Sequence, residues 1–164
     1  MKSALAYIAL GSNLDEPMRQ VQSARHALAG LSETELLKCS SLYRTAPVGN
    51  TAQPDFINAV CSVRTRLTPE ALLAALFAIE QAHGRVRTPD NVGGPRRLDL
   101  DLLLYEGAIR NTATLTLPHP RLHERAFVLY PLAEIAPTCE IPGRGPAAAL
   151  QRACAGQAIE RLAS

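Results

Sequence analysis

The chain has 164 residues, of which 47% are hydrophobic and 20% charged, with a formal net charge of +2. That length suits one domain with a real core, so a single domain over residues 1–164 is expected. The balanced charge excludes a nucleic-acid binder driven by bulk electrostatics, and with no tryptophan any stacking platform must come from a few Phe and Tyr residues.

Cys39, Cys61, Cys139 and Cys154 stand too far apart in sequence for a zinc or redox motif and read as reduced, mostly structural thiols. The apolar stretch from Ala4 to Leu10 is too short for a signal peptide core. No segment is long enough to span a bilayer, and the expectation is a soluble, cytoplasmic protein.

Ala4 to Leu10 reads as a first buried strand, ended by Gly11-Ser12-Asn13. A helix follows, with Asp15 as its expected cap and Pro17 in its first turn. It runs to about Ala29, is stopped by Gly30, and buries Val21, Ala24 and Leu28. Glu35 to Tyr43 is expected as one strand. Arg44 to Asp55, rich in Pro, Gly and Asn, is a long loop, and Phe56 to Thr65 is a further strand. Thr68-Pro69-Glu70 opens a second helix that closes at His83-Gly84. Arg85 to Pro95 is a second long loop, basic and rich in Gly and Pro.

Leu98 to Tyr105 reads as a buried strand, leucine-rich and bounded by turn residues. Short strands are expected at Ala108–Arg110 and Thr114–Leu117. Ala126 to Ile135 is helical with an interruption at Pro131, and Pro146 to Leu162 is expected as a terminal helix. The order strand, helix, strand, strand, helix, strand is the split βαβ arrangement. The fold class is therefore α+β: a ferredoxin-like core with an added C-terminal hairpin and helices, its antiparallel sheet covered by helices.

Asp99 and Asp101 carry the most telling chemistry. On a strand they share a face, with Cα atoms roughly 6.5–7 Å apart. Two carboxylates on one face of a central strand repel each other and resist burial, and a divalent cation relieves both problems. An oxygen-only donor set suggests Mg²⁺, which binds through one or two carboxylates plus phosphates. The same pattern also fits an edge strand with a solvated acidic face.

Arginines bracket the pair: Arg85, Arg87, Arg96 and Arg97 before it, Arg121 and Arg125 after. Metal plus arginine suits a nucleoside triphosphate, although no Walker-type loop is present. His119, between two prolines, is a candidate phosphate donor or acid–base group. Zinc is not expected at His119 and His123, and no Gly-x-Ser-x-Gly nucleophile elbow occurs. Phe56 and Phe127 can sandwich a flat heterocycle whose amide edge Asn58 would pair.

These motifs together resemble the 6-hydroxymethyl-7,8-dihydropterin pyrophosphokinase family. The matching stretches are Tyr7 to Leu14, Ser41 to Thr45, Gln53 to Ala59, Gly84 to Arg87, Gly94 to Asp101, Leu117 to His119 and Glu134 to Pro137. The resemblance implies transfer of pyrophosphate from ATP to the pterin hydroxymethyl group, releasing AMP, in folate biosynthesis. Two Mg²⁺ ions would be held by Asp99 and Asp101. Thr45, Val48, Phe56, Asn58 and Phe127 would match the pterin pocket. Glu80, Arg87, Arg96, Leu102, Thr116, His119 and Arg125 would match the ATP side, and Arg85 and Arg96 would hold phosphates as loops close.

This chain departs from many relatives in several places. It reads Asn91-Val92-Gly93 where a tryptophan is common, Phe77 for a glutamine, Pro120 after His119, and Thr114 where arginine sometimes stands. The implied partners are small-molecule substrates, with no nucleic acid and no membrane, and a monomer is expected. The competing reading is a non-catalytic ferredoxin-like module for RNA or a small ligand. RNA recognition on such a sheet wants aromatic residues on the central strands, and Tyr7 is the one aromatic in the first strand.

Overall fold

The computed structural model describes residues 2–46, 53–84 and 98–162. Val48, Arg85, Arg87, Arg96 and Arg97 lie outside them, as does the stretch from Asn91 to Pro95.

The strand β1 (Ala4–Ser12) leads into helix α1 (Pro17–Ala29), then β2 (Thr34–Cys39), β3 (Tyr43–Thr45) and β4 (Phe56–Thr65). Helix α2 (Pro69–Ala82) and strand β5 (Asp99–Tyr105) follow. The remainder is a hairpin of β6 (Arg110–Asn111) and β7 (Thr116–Leu117), a 3-10 turn at Leu122–Glu124 and helix α3 (Ala126–Ile135). A second hairpin, β8 (Glu140–Ile141) with β9 (Gly145–Pro146), precedes helix α4 (Ala147–Ala153) and strand β10 (Ile159–Arg161).

The main sheet has the order β10-β3-β4-β1-β5, with β2 also pairing β4, and among the described residues its pairings are antiparallel. This is the expected ferredoxin-like arrangement. β1 and β4 form its centre in unbroken register from Ala4↔Thr65 to Ser12↔Ile57.

Side-chain alternation splits the core between the two faces. On one face Ile8, Leu10 and Leu100 pack with Val21 and Leu28 of α1 and Leu72 and Leu76 of α2. On the other, Val60 and Leu103 pack with Val128 and Leu132 of α3. Each fully buried leucine contributes about 1.5–3 kcal/mol by leaving water.

Several expectations need correction. α1 is not capped by Asp15: the cap position is Glu16, and both residues have positive φ, at 54° and 60°. That turn leaves the Asp15 carbonyl to accept from Gln20 Nε2 at 3.1 Å. α2 starts as expected, with Thr68 Oγ1 accepting from Ala71 N at 3.1 Å.

The strand expected over Glu35 to Tyr43 is broken into β2 and β3. Ser40 Oγ accepts the Val60 N–H at 3.0 Å, while the Ser40 carbonyl turns to Arg25 Nη2 at 2.5 Å. Side-chain competition for backbone groups thus interrupts the ladder. Among the described residues β5 stands at a sheet edge rather than as a central strand. α3 continues through Pro131.

The chain end is not one long helix. α4 stops at Ala153, and β10 then pairs β3 from Ile159↔Thr45 to Arg161↔Tyr43, which supplies partners for an otherwise open edge. Among the described residues no helix is long and apolar enough to cross a membrane.

Candidate active site

The register aligns one row of residues across the sheet. Asp99 of β5 pairs Gly11 of β1, Gly11 pairs Asn58 of β4, and Asn58 pairs Tyr43 of β3. Strands lie about 4.8 Å apart, so the Asp99 and Asn58 Cα atoms stand about 10 Å apart with only a glycine between them. Asp101 pairs Ala9 in the next row of the same face, and Phe56 pairs Thr45 on the other side. Thr45, Phe56, Asn58, Asp99 and Asp101 therefore share one face of the sheet, the face that α3 covers further along.

Asn58 is 6% exposed, and its Nδ2 donates to Thr45 Oγ1 at 2.9 Å. That bond turns Oδ1 toward Gly11, where an added Cβ would stand 2.9 Å from it. Gly11 is thus required for space, and it lies within β1, where the expectation was that Gly11-Ser12-Asn13 ends the strand. The available signal was a glycine inside a strand pattern, which marks close approach.

Asn13 has a separate task. It is 2% exposed, and its Nδ2 donates to Gln53 Oε1 at 2.8 Å and to the Pro54 carbonyl at 3.0 Å. The end of β1 thereby holds the segment that enters β4.

Asp99 and Asp101 are both partly exposed. Glu80 behaves differently. It is 1% exposed on α2, beneath the sheet, and its Oε2 accepts the Leu100 N–H at 2.7 Å. A carboxylate thus holds the backbone between the two aspartates from the opposite face. Leu102 is 3% exposed within the same α2-side core, so its side chain is engaged in packing.

His119 follows the cis Leu117–Pro118 bond and β7, where Thr116 is partly exposed. Its N–H donates to the Leu103 carbonyl at 2.9 Å, and its Nδ1 accepts from Arg121 N at 3.3 Å. The neutral ring therefore carries its proton on Nε2. Burial pushes the imidazole below its ordinary value, the Arg125 charge adds to this, and Asp99 opposes it. The Arg125 guanidinium lies over the Phe127 ring, 5.3 Å from its centroid. Asp99, His119, Arg125 and Phe127 are thus drawn to one end of the sheet from three separate elements.

Glu134 of α3 supports this end. Its carboxylate accepts from Ser41 N at 3.1 and 3.0 Å, Ser41 Oγ at 3.0 Å, Tyr43 Oη at 2.7 Å and Arg161 Nη2 at 3.2 Å. The lead into β3, and with it Thr45, is fixed to α3 by this one side chain.

Residues 7–137 match the family model described as 7,8-dihydro-6-hydroxymethylpterin-pyrophosphokinase. A Pseudomonas aeruginosa 2-amino-4-hydroxy-6-hydroxymethyldihydropteridine pyrophosphokinase is 47% identical over 156 residues, covering 95% of each chain. The Haemophilus influenzae protein of the same name is 47% identical over 137 residues, covering 84% of each.

Among solved structures, a Plasmodium falciparum HPPK-DHPS chain with pteroate aligns with a TM-score of 0.72 at 12% identity. The alignment covers 93% of this chain and 42% of that longer one, and at such identity it speaks for the fold. The chain belongs to the 7,8-dihydro-6-hydroxymethylpterin-pyrophosphokinase family.

Proposed function

We propose that this protein transfers pyrophosphate from ATP to the hydroxymethyl group of 6-hydroxymethyl-7,8-dihydropterin, releasing AMP, in folate biosynthesis. It would act as a monomeric, cytoplasmic enzyme, with residues 1–164 forming one pyrophosphokinase domain. The observation that carries the reading is the Asp99–Gly11–Asn58 row, which sets an amide able to read a heterocycle edge beside a carboxylate pair suited to polyphosphate.

In this reading Asn58, oriented by Thr45, pairs with the pterin edge. Phe56 and Phe127 stack on the ring, and Val48 adds a contact from its loop. Asp99 and Asp101 would hold Mg²⁺, with two ions expected. The donor set fits. Among the described residues no cluster of three or more His, Cys, Asp or Glu side chains occurs, so phosphate oxygens and water would complete the shell, as this cation prefers. Bound there, the metal would neutralise phosphate charge and acidify the attacking hydroxyl.

The protein's own groups do the rest by position and charge. His119, neutral, offers its Nε2–H to a phosphate oxygen. Arg125 brings a cation beside it, and Arg85, Arg87 and Arg96 would complete the neutralisation. Thr116 and the backbone of Leu102 would border the nucleotide. Glu80 would act from beneath, by fixing the strand that carries both aspartates.

Incubation with ATP, Mg²⁺ and hydroxymethyldihydropterin should yield AMP and the pterin diphosphate. Formation of ADP, or intact ATP despite binding, would overturn the reading. The RNA-module alternative is not favoured. The face it would use carries two carboxylates, and Tyr7 on its central strand is packed against the α3-side core.

A further inference from the structure

Two cysteines far apart in sequence meet on the face of the sheet opposite the candidate active site. Cys39, at the end of β2, is the register partner of Cys61 in β4, and their Sγ atoms are 2.7 Å apart. The neighbouring Ser40 N–H donates to the Val60 carbonyl at 2.9 Å, so Ser40 and Val60 occupy a hydrogen-bonding position of the ladder that keeps one of its two bonds, the other being diverted to Ser40 Oγ and Arg25. Ladder alternation then makes Cys39 and Cys61 a non-hydrogen-bonded pair, with Cα atoms about 4.5 Å apart and side chains close. That separation falls inside the roughly 4.4–6.8 Å range a disulfide accepts. Both thiols are free in this structure.

A cation stands over the pair. Arg25 of α1 donates from Nη2 to the carbonyl of Ser40, the residue after Cys39, and its charge acts on both thiols. Its Nε is buried and has no hydrogen-bond partner of good geometry among the described residues. An anionic sulfur is the kind of acceptor this N–H lacks.

The two thiols differ in access, since Cys39 is partly exposed and Cys61 is 0% exposed. The contact with Cys61 pulls the Cys39 thiol below its ordinary value against the effect of burial, and the Arg25 charge assists. The Cys61 thiol is raised by the same contact and by burial. Cys139 and Cys154 are both raised, chiefly by burial.

We propose that Cys39 and Cys61 form a redox-responsive dithiol that closes to a cross-strand disulfide by exchange with low-molecular-weight disulfides. Cys39 thiolate attacks one sulfur of the small disulfide and expels one thiolate. Cys61 gives its proton to that leaving thiolate and attacks the Cys39 sulfur, expelling the second. The protein loses two protons and two electrons, and the small disulfide takes them up to become two thiols. Arg25 favours the first step by stabilising the Cys39 anion. Cys39 directly precedes the Ser40–Leu42 junction into β3, and Cys61 lies three residues beyond Asn58, so closure bears on the two strands that carry Thr45 and Asn58.

The test treats the full-length folded protein with oxidised glutathione, followed by thiol counting, intact mass and peptide mapping under non-reducing conditions. The expected result is a linked Cys39–Cys61 peptide, a mass lower by two hydrogens, no retained glutathione, and Cys139 and Cys154 still free. Cys61→Ser should instead trap glutathione on Cys39, and Arg25→Gln should slow the reaction about tenfold. Glutathione that persists on wild-type Cys39 without cross-linking, or preferential reaction at Cys139, would overturn the proposal. The wild-type measurement stands even if a variant folds poorly.

Discussion

Gly11 lies one strand from Asn58, and a Cβ on it would stand 2.9 Å from Asn58 Oδ1. The amide cannot turn away freely, because its Nδ2 is bonded to Thr45 Oγ1. Backbone conformation does not demand glycine here; the neighbour's oxygen does.

Gly11→Ala should therefore displace the Asn58 amide while leaving the β1–β4 ladder intact. The expected effect is a rise in KM for the pterin of about tenfold, or about 1.4 kcal/mol, with kcat less affected. Thr45→Val, which keeps the volume and removes the Oγ1 acceptor, should act in the same direction. A normal pterin KM in both variants would sink this account of Asn58.

Asp99→Ala and Asp101→Ala should each cut AMP formation by at least about a hundredfold and leave the thermal melt nearly unchanged, since both side chains are partly exposed. Glu80→Ala should do the reverse in emphasis. It leaves the buried Leu100 N–H without its acceptor, at a cost of about 1–3 kcal/mol in stability. Chemical denaturation beside a single-turnover assay separates the two patterns.

His119 should titrate below the ordinary histidine value of 6.5, because burial and then the Arg125 charge disfavour the imidazolium. The unfolded chain then takes up the proton first. Stability from this group is present above the ordinary value and falls as pH drops from there toward the folded one. Histidine NMR titration checks this directly. Arg125→Gln should move the His119 midpoint up, and Asp99→Asn should move it further down. A midpoint above the ordinary value would refute the assignment.

Burial pushes the Glu134 carboxyl up, but hydrogen bonds from Tyr43 and Ser41 and the Arg161 charge outweigh it and hold the group below the usual range. Such a group contributes stability above the unfolded carboxylate value of about 4.3, and that contribution is lost as pH falls through the folded value. Glu134→Gln should thus destabilise the protein at neutral pH and flatten the acid limb of its stability curve. Urea titrations of both proteins at about pH 7 and about pH 3.5 provide the comparison. An unchanged acid limb would show that the carboxylate charge is not what holds β3 to α3.

Much of the fold was legible in the chain. Thr68-Pro69-Glu70 marks the start of α2, Gly30 marks the end of α1, and Phe56 to Thr65 is β4 to the residue. These signals are local: a cap, a missing N–H, an apolar run. The misses are the places where a distant group competes for the backbone. Ser40 breaks a strand because Val60 and Arg25 take its atoms, and the tail after Ala153 becomes a strand because β3 offers an edge.

The candidate site divides in the same way. The sequence by itself determined that Asp99 and Asp101 share a face, since strand periodicity requires it, and that Asn58 is a polar residue inside an apolar strand. Only the tertiary structure decided that Gly11 stands between them, that Glu80 grips the strand from beneath, and that Cys39 faces Cys61. Alternation along one strand is intrinsic to the backbone. Register between strands is set by which buried faces must coincide, and no local stretch of sequence contains that information.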